Sequence, residues 1–435
     1  MKIRDFLEID FFLIFSVIAL MVMGILFIFS SGVNSSGVQV SSEYIRQIIW
    51  ASVGLAVALG MAMVNYRRFY NLSLYLYIII LIPLLYTCIF GRVIHGTRWL
   101  RFGIFGVQAS EFAKIVTIIA LARYLTDTRK SSNSFIRFLV SCFIVFVPMA
   151  IVLLQPDLGT ALVFIPILLV MTYIAGISIR YVIFAGSCIV ITGILTVLPL
   201  WQTHILRKSL PAIVMITNPK LIMIIVLALS VIIGISLFGL LKYKKRYFFW
   251  ISYIVAVIVI SLGASFATRA MLKNYQIMRL IVFLDPNIDP RGAGWNIIQS
   301  ITAIGAGGVT GKGYLQGTQS HYRFLPEQST DFIFSIFSEE TGFIGGIIVF
   351  LLFLIICFRL LRIMKLTADP FGAYICAGLA GIYGFHFFVN VGMTMGIMPI
   401  TGIPLLFMSY GGSSLISAML GIGLALNVYV RRHDH

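Results

Sequence analysis

STDFIFSIFSEETGFIGGIIVFLLFLIICF, residues 329–358, decides the fold. From Phe343 to Phe358 it carries no charge, and with the apolar residues before it the run is longer than the ~20 residues that cross a bilayer. A soluble core has no need of such a run. Three acids interrupt its first half: Asp331, Glu339 and Glu340. By helix rise, Asp331 and Glu339 stand about 12 Å apart along one helix. Carboxylates are costly at this depth and by default mark a site or a pathway. Asp331 has an ordinary reading too. It follows Ser329 and Thr330 at a helix start, where an acid caps and meets the positive end of the helix dipole. The structural alternative for Glu339 and Glu340 is pairing with distant Arg residues.

Outward from this stretch the chain repeats the pattern. Of 435 residues, 60% are hydrophobic and 11% charged, against roughly 25% charged in a soluble domain. Apolar runs near 11–30, 46–65, 70–90, 108–123, 138–154, 159–177, 181–200, 220–241, 247–268, 331–358, 372–396 and 403–430 make about twelve candidate transmembrane helices. The run 108–123 is the shortest of the twelve. The first run follows Lys2 and Arg4, is too long for a signal-peptide core and has no A-x-A site after it, so it reads as an uncleaved span. The fold class is an all-α polytopic membrane protein.

The net charge of +17 is carried largely by short loops. With the N-terminus in the cytoplasm, just over half of the 32 Lys and Arg fall in inside loops, and every inside loop holds at least one. An even number of spans returns the C-terminus to the cytoplasm as well. The charge thus reads as orientation and anionic lipid, with no nucleic-acid partner. Basic residues that oppose this bias gather in 91–107 and 270–330: Arg92, Arg98, Arg101, Lys273, Arg279, Arg291, Lys312 and Arg323. They suit an anionic ligand such as a phosphate, a pyrophosphate or a lipid headgroup; the alternative is headgroup snorkelling. The segment 270–330 is long and Gly-rich, yet holds apolar stretches, and is expected to be ordered.

Two further sets of ionisable residues lie within the apolar runs. Glu111 and Lys114 are three apart and share a helix face, where they orient a ligand or neutralise each other. Asp157 follows Pro156 between two spans. The five Cys lie inside apolar runs without C-x-x-C spacing, and the six His show no metal spacing. Walker A, G-x-S-x-G, H-E-x-x-H and dinucleotide fingerprints are absent. Any chemistry should use carboxylates, Lys and Arg at the outer face.

Several stretches then resemble one family, in order along the chain. They are Gly96-Thr-Arg98-Trp99 with Gln108-Ala-Ser-Glu111-Phe-Ala-Lys114, and Gln155-Pro-Asp157-Leu-Gly159-Thr160. Asp285-Pro-Asn-Ile-Asp289-Pro follows, with Gly292-Ala-Gly294-Trp, then Gly311-Lys-Gly313 with Gly317-Thr-Gln319. Leu325-Pro-Glu327 precedes Thr330-Asp331-Phe, with Glu339-Glu340 beyond. The last runs from Asn390-Val-Gly-Met393 through Pro399 and Gly402-Ile-Pro404 to Tyr410-Gly-Gly-Ser-Ser414. These motifs resemble the SEDS proteins (shape, elongation, division and sporulation). The Gly-Lys-Gly and Gly-Thr-Gln elements are more similar to the elongation members than to the division members. Ala109 stands where the family usually has Pro, and Leu406 replaces a usual second Pro. The family usually has ten spans. The resemblance implies one SEDS domain over 1–435, with 201–268 an insertion of two extra helices and 270–330 a large extracytoplasmic loop.

The resemblance implies a peptidoglycan glycosyltransferase. Such an enzyme polymerises lipid II at the outer face of the bacterial cytoplasmic membrane during elongation and rod-shape maintenance. Its expected partners are a class B penicillin-binding protein and other elongation-complex proteins. By matching position Asp331 is the catalytic carboxylate. Glu111, Lys114 and Asp157 line the cavity and bind or orient substrate, and Arg98 and Arg323 contact pyrophosphate. A divalent cation, Mg2+ or Mn2+, is compatible with the chemistry and not indicated by spacing. The rival readings are a lipid II flippase and a non-catalytic scaffold for the cross-linking enzyme. Both would leave Asp331 without a chemical role.

Overall fold

The structure is a computed structural model and describes residues 10–90, 99–102, 105–206, 208, 210–322 and 324–432. Its elements in chain order begin with α1 (Phe11–Ser31), α2 (Glu43–Met63) and α3 (Arg67–Phe90). A short antiparallel pair follows, β1 (Leu100–Phe102) and β2 (Phe105–Val107). Next are α4 (Ala109–Asp127), α5 (Ser134–Leu154), and α6 (Leu158–Leu162) followed at once by α7 (Phe164–Ile174). α8 (Ile179–Trp201) leads through a π-helical turn to α9 (Pro211–Thr217), α10 (Pro219–Tyr243), α11 (Arg246–Met271) and α12 (Asn274–Leu284). α13 (Ala293–Gly307), α14 (Thr318–His321), α15 (Ile333–Leu366), α16 (Pro370–Thr394) and α17 (Gly412–Val430) complete the chain.

Among the described residues, ten helices are long and apolar enough to cross a membrane. The two further runs that the sequence marks as spans are helical but fall short of that standard for physical reasons. α4 carries Glu111, Lys114, Arg123 and Asp127. The run 159–177 is broken into α6 and α7. The last apolar run, 403–430, is helical only from Gly412; before it the chain folds as a loop through Gly402, Pro404 and a left-handed Phe407. Ala109 is the first helical residue of α4, the position that proline favours, so its replacement of Pro leaves the helix start in place.

The chain divides into two compact units, residues 178–295 and the remainder. In the smaller unit α10 and α11 form an antiparallel pair joined at the left-handed Lys244, where Ser236 Oγ donates to the Phe248 carbonyl at 2.6 Å. In the larger unit α16 and α17 are buried over most of their length, whereas α3 is mainly outward-facing. Small residues allow that central position: Gly423 of α17 lies against the Ala58 backbone of α2.

At each end of the larger unit, segments that the loop charges assign to the same side meet one another. At one end Tyr66 Oη donates to Asp369 at 2.8 Å, Arg359 pairs with Asp10 at 2.6 Å, and Arg431 donates to the Ala62 and Met63 carbonyls. All of these belong to segments placed inside. At the other end Gln47 donates to the Ser409 carbonyl, Tyr410 N to the Ser329 carbonyl and Gln328 to the Ser31 carbonyl. Asp331 lies at this second end.

Candidate active site

α15 is not one continuous helix. Gly342 has φ 68° and ψ −163°, a conformation open to glycine and closed to L-residues with a side chain. The helix breaks there, and the Gly-rich loop 308–317 fills the break. Phe343 N donates to the Gly308 carbonyl at 2.9 Å and Ile344 N to Val309 at 3.1 Å. In the other direction, Lys312 N and Gly313 N donate to the carbonyls of Glu339 and Glu340, both at 3.0 Å. Irregular backbone is tolerated at membrane depth only where protein satisfies it, and here the loop does so.

The side chains of the two glutamates face the same loop. Glu339 is fully buried and accepts from Lys312 Nζ at 2.7 Å, Thr318 N at 2.8 Å and Thr318 Oγ1 at 2.9 Å. Glu340 accepts from Ser30 Oγ and from Leu315 N at 3.0 Å. The Gly311-Lys312-Gly313 and Gly317-Thr-Gln319 elements therefore hold this acidic pair. Lys312, grouped with cations for an outside anion, is the counter-ion of Glu339. The pair meets Lys312, the Ser30 and Thr318 hydroxyls and backbone N–H groups, where the structural alternative had offered distant Arg residues.

Asp331 sits in the turn before α15, half-buried, one residue ahead of the helix's N-cap, Phe332. The turn is fixed through its backbone. Asp331 N donates to the Glu327 carbonyl at 3.1 Å, and the Asp331 carbonyl accepts from Asn390 Nδ2 at 3.0 Å. Glu327 itself is left-handed, which closes the turn tightly.

Glu111 and Lys114 share one face of α4, as their spacing predicts, and pair at 2.9 Å with both side chains buried. Lys114 Nζ also lies 3.3 Å from His386 Nε2 on α16. His386 Nδ1 is 3.1 Å from the Pro404 carbonyl. A carbonyl only accepts, so Nδ1 carries the proton and Nε2 presents its lone pair to the ammonium. Asp157 is the N-cap of α6. Its carboxylate accepts from Thr160 N at 3.2 Å, Thr160 Oγ1 at 2.9 Å and Gln108 Nε2 at 3.0 Å. Gly159 in this turn lies directly on the Thr401 carbonyl. Arg98 and Arg323 lie outside the described residues. The sequence reading did not single out His386 and gave Asn390 only as the start of a motif, with no role of its own. Their signal was a pair of polar residues one helical turn apart in an apolar helix.

No three His, Cys, Asp or Glu side chains gather as a metal cage among the described residues. The described residues therefore form no protein-enclosed ion site.

A polytopic bundle with buried ion pairs, a loop-filled helix break and a carboxylate-bearing turn at one end is thus a membrane protein with a polar site at that end. The chain belongs to the FtsW, RodA and SpoVE family, whose model, described as cell cycle protein, matches residues 11–209 and 199–434. It is 48% identical over 434 residues to the peptidoglycan glycosyltransferase RodA of Treponema pallidum, covering 99% of this chain and 100% of that one. Its identity to the peptidoglycan glycosyltransferase MrdB of Escherichia coli K12 is 31%, covering 98% and 95%. Among solved structures it resembles a chain of a peptidoglycan synthase complex that coordinates polymerization and crosslinking. There the TM-score is 0.66 at 25% identity, covering 98% and 99%. The RodA of Thermus thermophilus shares the fold, with a TM-score of 0.59 at 22% identity and 98% of each chain covered.

Proposed function

We propose that this protein is a peptidoglycan glycosyltransferase that polymerises lipid II into glycan strands during cell elongation, with Asp331 as the general base. The reading rests on the whole-length likeness to relatives bearing that name, joined to a carboxylate fixed in a turn at one end of the bundle. It places the protein in the bacterial cytoplasmic membrane with Asp331 on the outer face. The loop charges and their segregation to opposite ends of the larger unit support that orientation. A class B penicillin-binding protein is the proposed partner, consistent with the likeness to a synthase complex that couples polymerization to crosslinking.

In the reaction, Asp331 takes the proton of the acceptor sugar hydroxyl as its oxygen attacks the anomeric carbon of the donor. The new glycosidic C–O bond forms while the bond to the pyrophosphate breaks, and undecaprenyl pyrophosphate leaves with the electron pair. Single displacement inverts the anomeric centre. Pyrophosphate leaves without an acid once its charge is met, a role suited to Arg98 and Arg323. Glu111, Lys114 and Asp157 shape the polar interior that orients the substrate. No step is assigned to Mg2+ or Mn2+.

The test is polymerisation of labelled lipid II by the purified protein with its class B partner, with moenomycin present to silence other glycosyltransferases. Wild type should make strands and a folded Asp331→Ala variant none. Equal polymer from both would remove Asp331 from the reaction. No polymer from an intact wild-type complex would favour a flippase or scaffold.

A further inference from the structure

The geometry points to Asn390 as the positioning residue that sets the Asp331 turn and ties it to the Glu111–Lys114 pair, an inference that rests on Asp331 being the base. Asn390 is fully buried in α16, four residues beyond His386, so both project from one face of that helix. Its Nδ2 lies 3.0 Å from the Asp331 carbonyl and 2.8 Å from the Ile403 carbonyl. Both acceptors are carbonyls, so the nitrogen must face them and the orientation of the amide is determined. One group thus uses its two hydrogens to join the Asp331 turn to the 400–411 loop.

The next carbonyl in that loop, Pro404, is the one held by His386, whose other nitrogen meets Lys114. A continuous chain of contacts therefore runs from Glu111 through Lys114 and His386 to Pro404. It crosses one peptide to Ile403 and continues through Asn390 to Asp331. Two sets of residues that the sequence marks independently are joined by His386, which it does not mark, and by Asn390, to which it gives no role. Among the described residues, buried Asn390 Oδ1 has no hydrogen-bond partner. An unpaired acceptor is a cost that an apolar side chain of similar volume would avoid. An amide at this position is accounted for by what its nitrogen does. Because the carboxylate must meet the acceptor hydroxyl in line with the anomeric carbon, a small rotation of the turn lowers the rate without weakening substrate binding.

The experiment compares wild type, Asp331→Ala, Asn390→Ala and Asn390→Asp in the complex with the class B partner, measuring kcat and KM for lipid II and the melting temperature. Asn390→Asp keeps the volume but sets an oxygen against two carbonyls. Both Asn390 variants should lose about tenfold to a hundredfold in kcat, the scale of a misplacement near 1 Å, with KM unchanged. Should Asn390→Ala fail to fold, Asn390→Asp decides alone. Full kcat in a folded Asn390 variant, or a loss confined to KM, overturns the positioning role while an inactive Asp331→Ala leaves the base intact. A fully active Asp331→Ala overturns both.

Discussion

Replacing Gly342 by Ala should be among the most damaging single-methyl changes in this protein. The residue sits at φ 68° and ψ −163°, which a side chain makes unfavourable by about 1–3 kcal/mol. A Cβ built there would lie 2.3 Å from Gly311 N and 2.6 Å from the Val309 carbonyl oxygen. Both are backbone atoms of the loop that fills the helix break, so relief requires the loop to withdraw. Withdrawal sacrifices the Phe343–Gly308 and Ile344–Val309 hydrogen bonds, each worth about 1 kcal/mol net. The total is roughly 3–5 kcal/mol. Gly346→Ala is the matched control: it lies in the same helix and its new methyl would meet only Phe334 Cζ at 3.8 Å, an ordinary contact. It should be neutral or stabilising by about 0.5–1 kcal/mol. Thermal unfolding of both variants in the same detergent, at one scan rate, provides the comparison. If Gly342→Ala melted with or above Gly346→Ala, the helix break would not depend on glycine and the account of the loop would be wrong.

Two further changes probe the polar interior. Glu111→Gln and Lys114→Met each leave one buried charge without its partner and should cost about 3–5 kcal/mol in stability, whereas the double variant should recover most of the loss. Additive losses in a melting series would show that the pair is not coupled. Asp157→Ala removes the N-cap of α6 and should lower stability by about 1–2 kcal/mol, with Asp157→Asn recovering part of it through the retained Thr160 contact. Were Asp157→Asn to melt as wild type but raise KM for lipid II, the carboxylate would meet substrate in addition to capping.

The membrane architecture is legible in the amino-acid sequence alone, because hydrocarbon solvation acts on composition and length before any tertiary contact forms. Long apolar runs, the bias of Lys and Arg, and the i,i+3 spacing of Glu111 and Lys114 were all legible for that reason. So was the candidacy of Asp331, since a carboxylate at the start of an apolar run is costly wherever the chain folds. Tertiary structure decided what spacing cannot encode. Glu339 and Glu340 read as mid-span charges, yet their partners come from Ser30 of α1 and from a loop 21 to 27 residues earlier in the chain, brought there by the break at Gly342. Lys312 read as an outward cation and is an internal counter-ion. The loop before α17 read as part of a span because Leu405, Leu406, Phe407 and Met408 are apolar, but its backbone turns there and is held by Asn390, His386 and Gln47. Asn390 and His386 are polar residues in one apolar helix, and Gln47 stands in the polar first turns of α2. Their significance lies in which carbonyl each reaches, and that is settled only when α2 and α16 are packed against the loop.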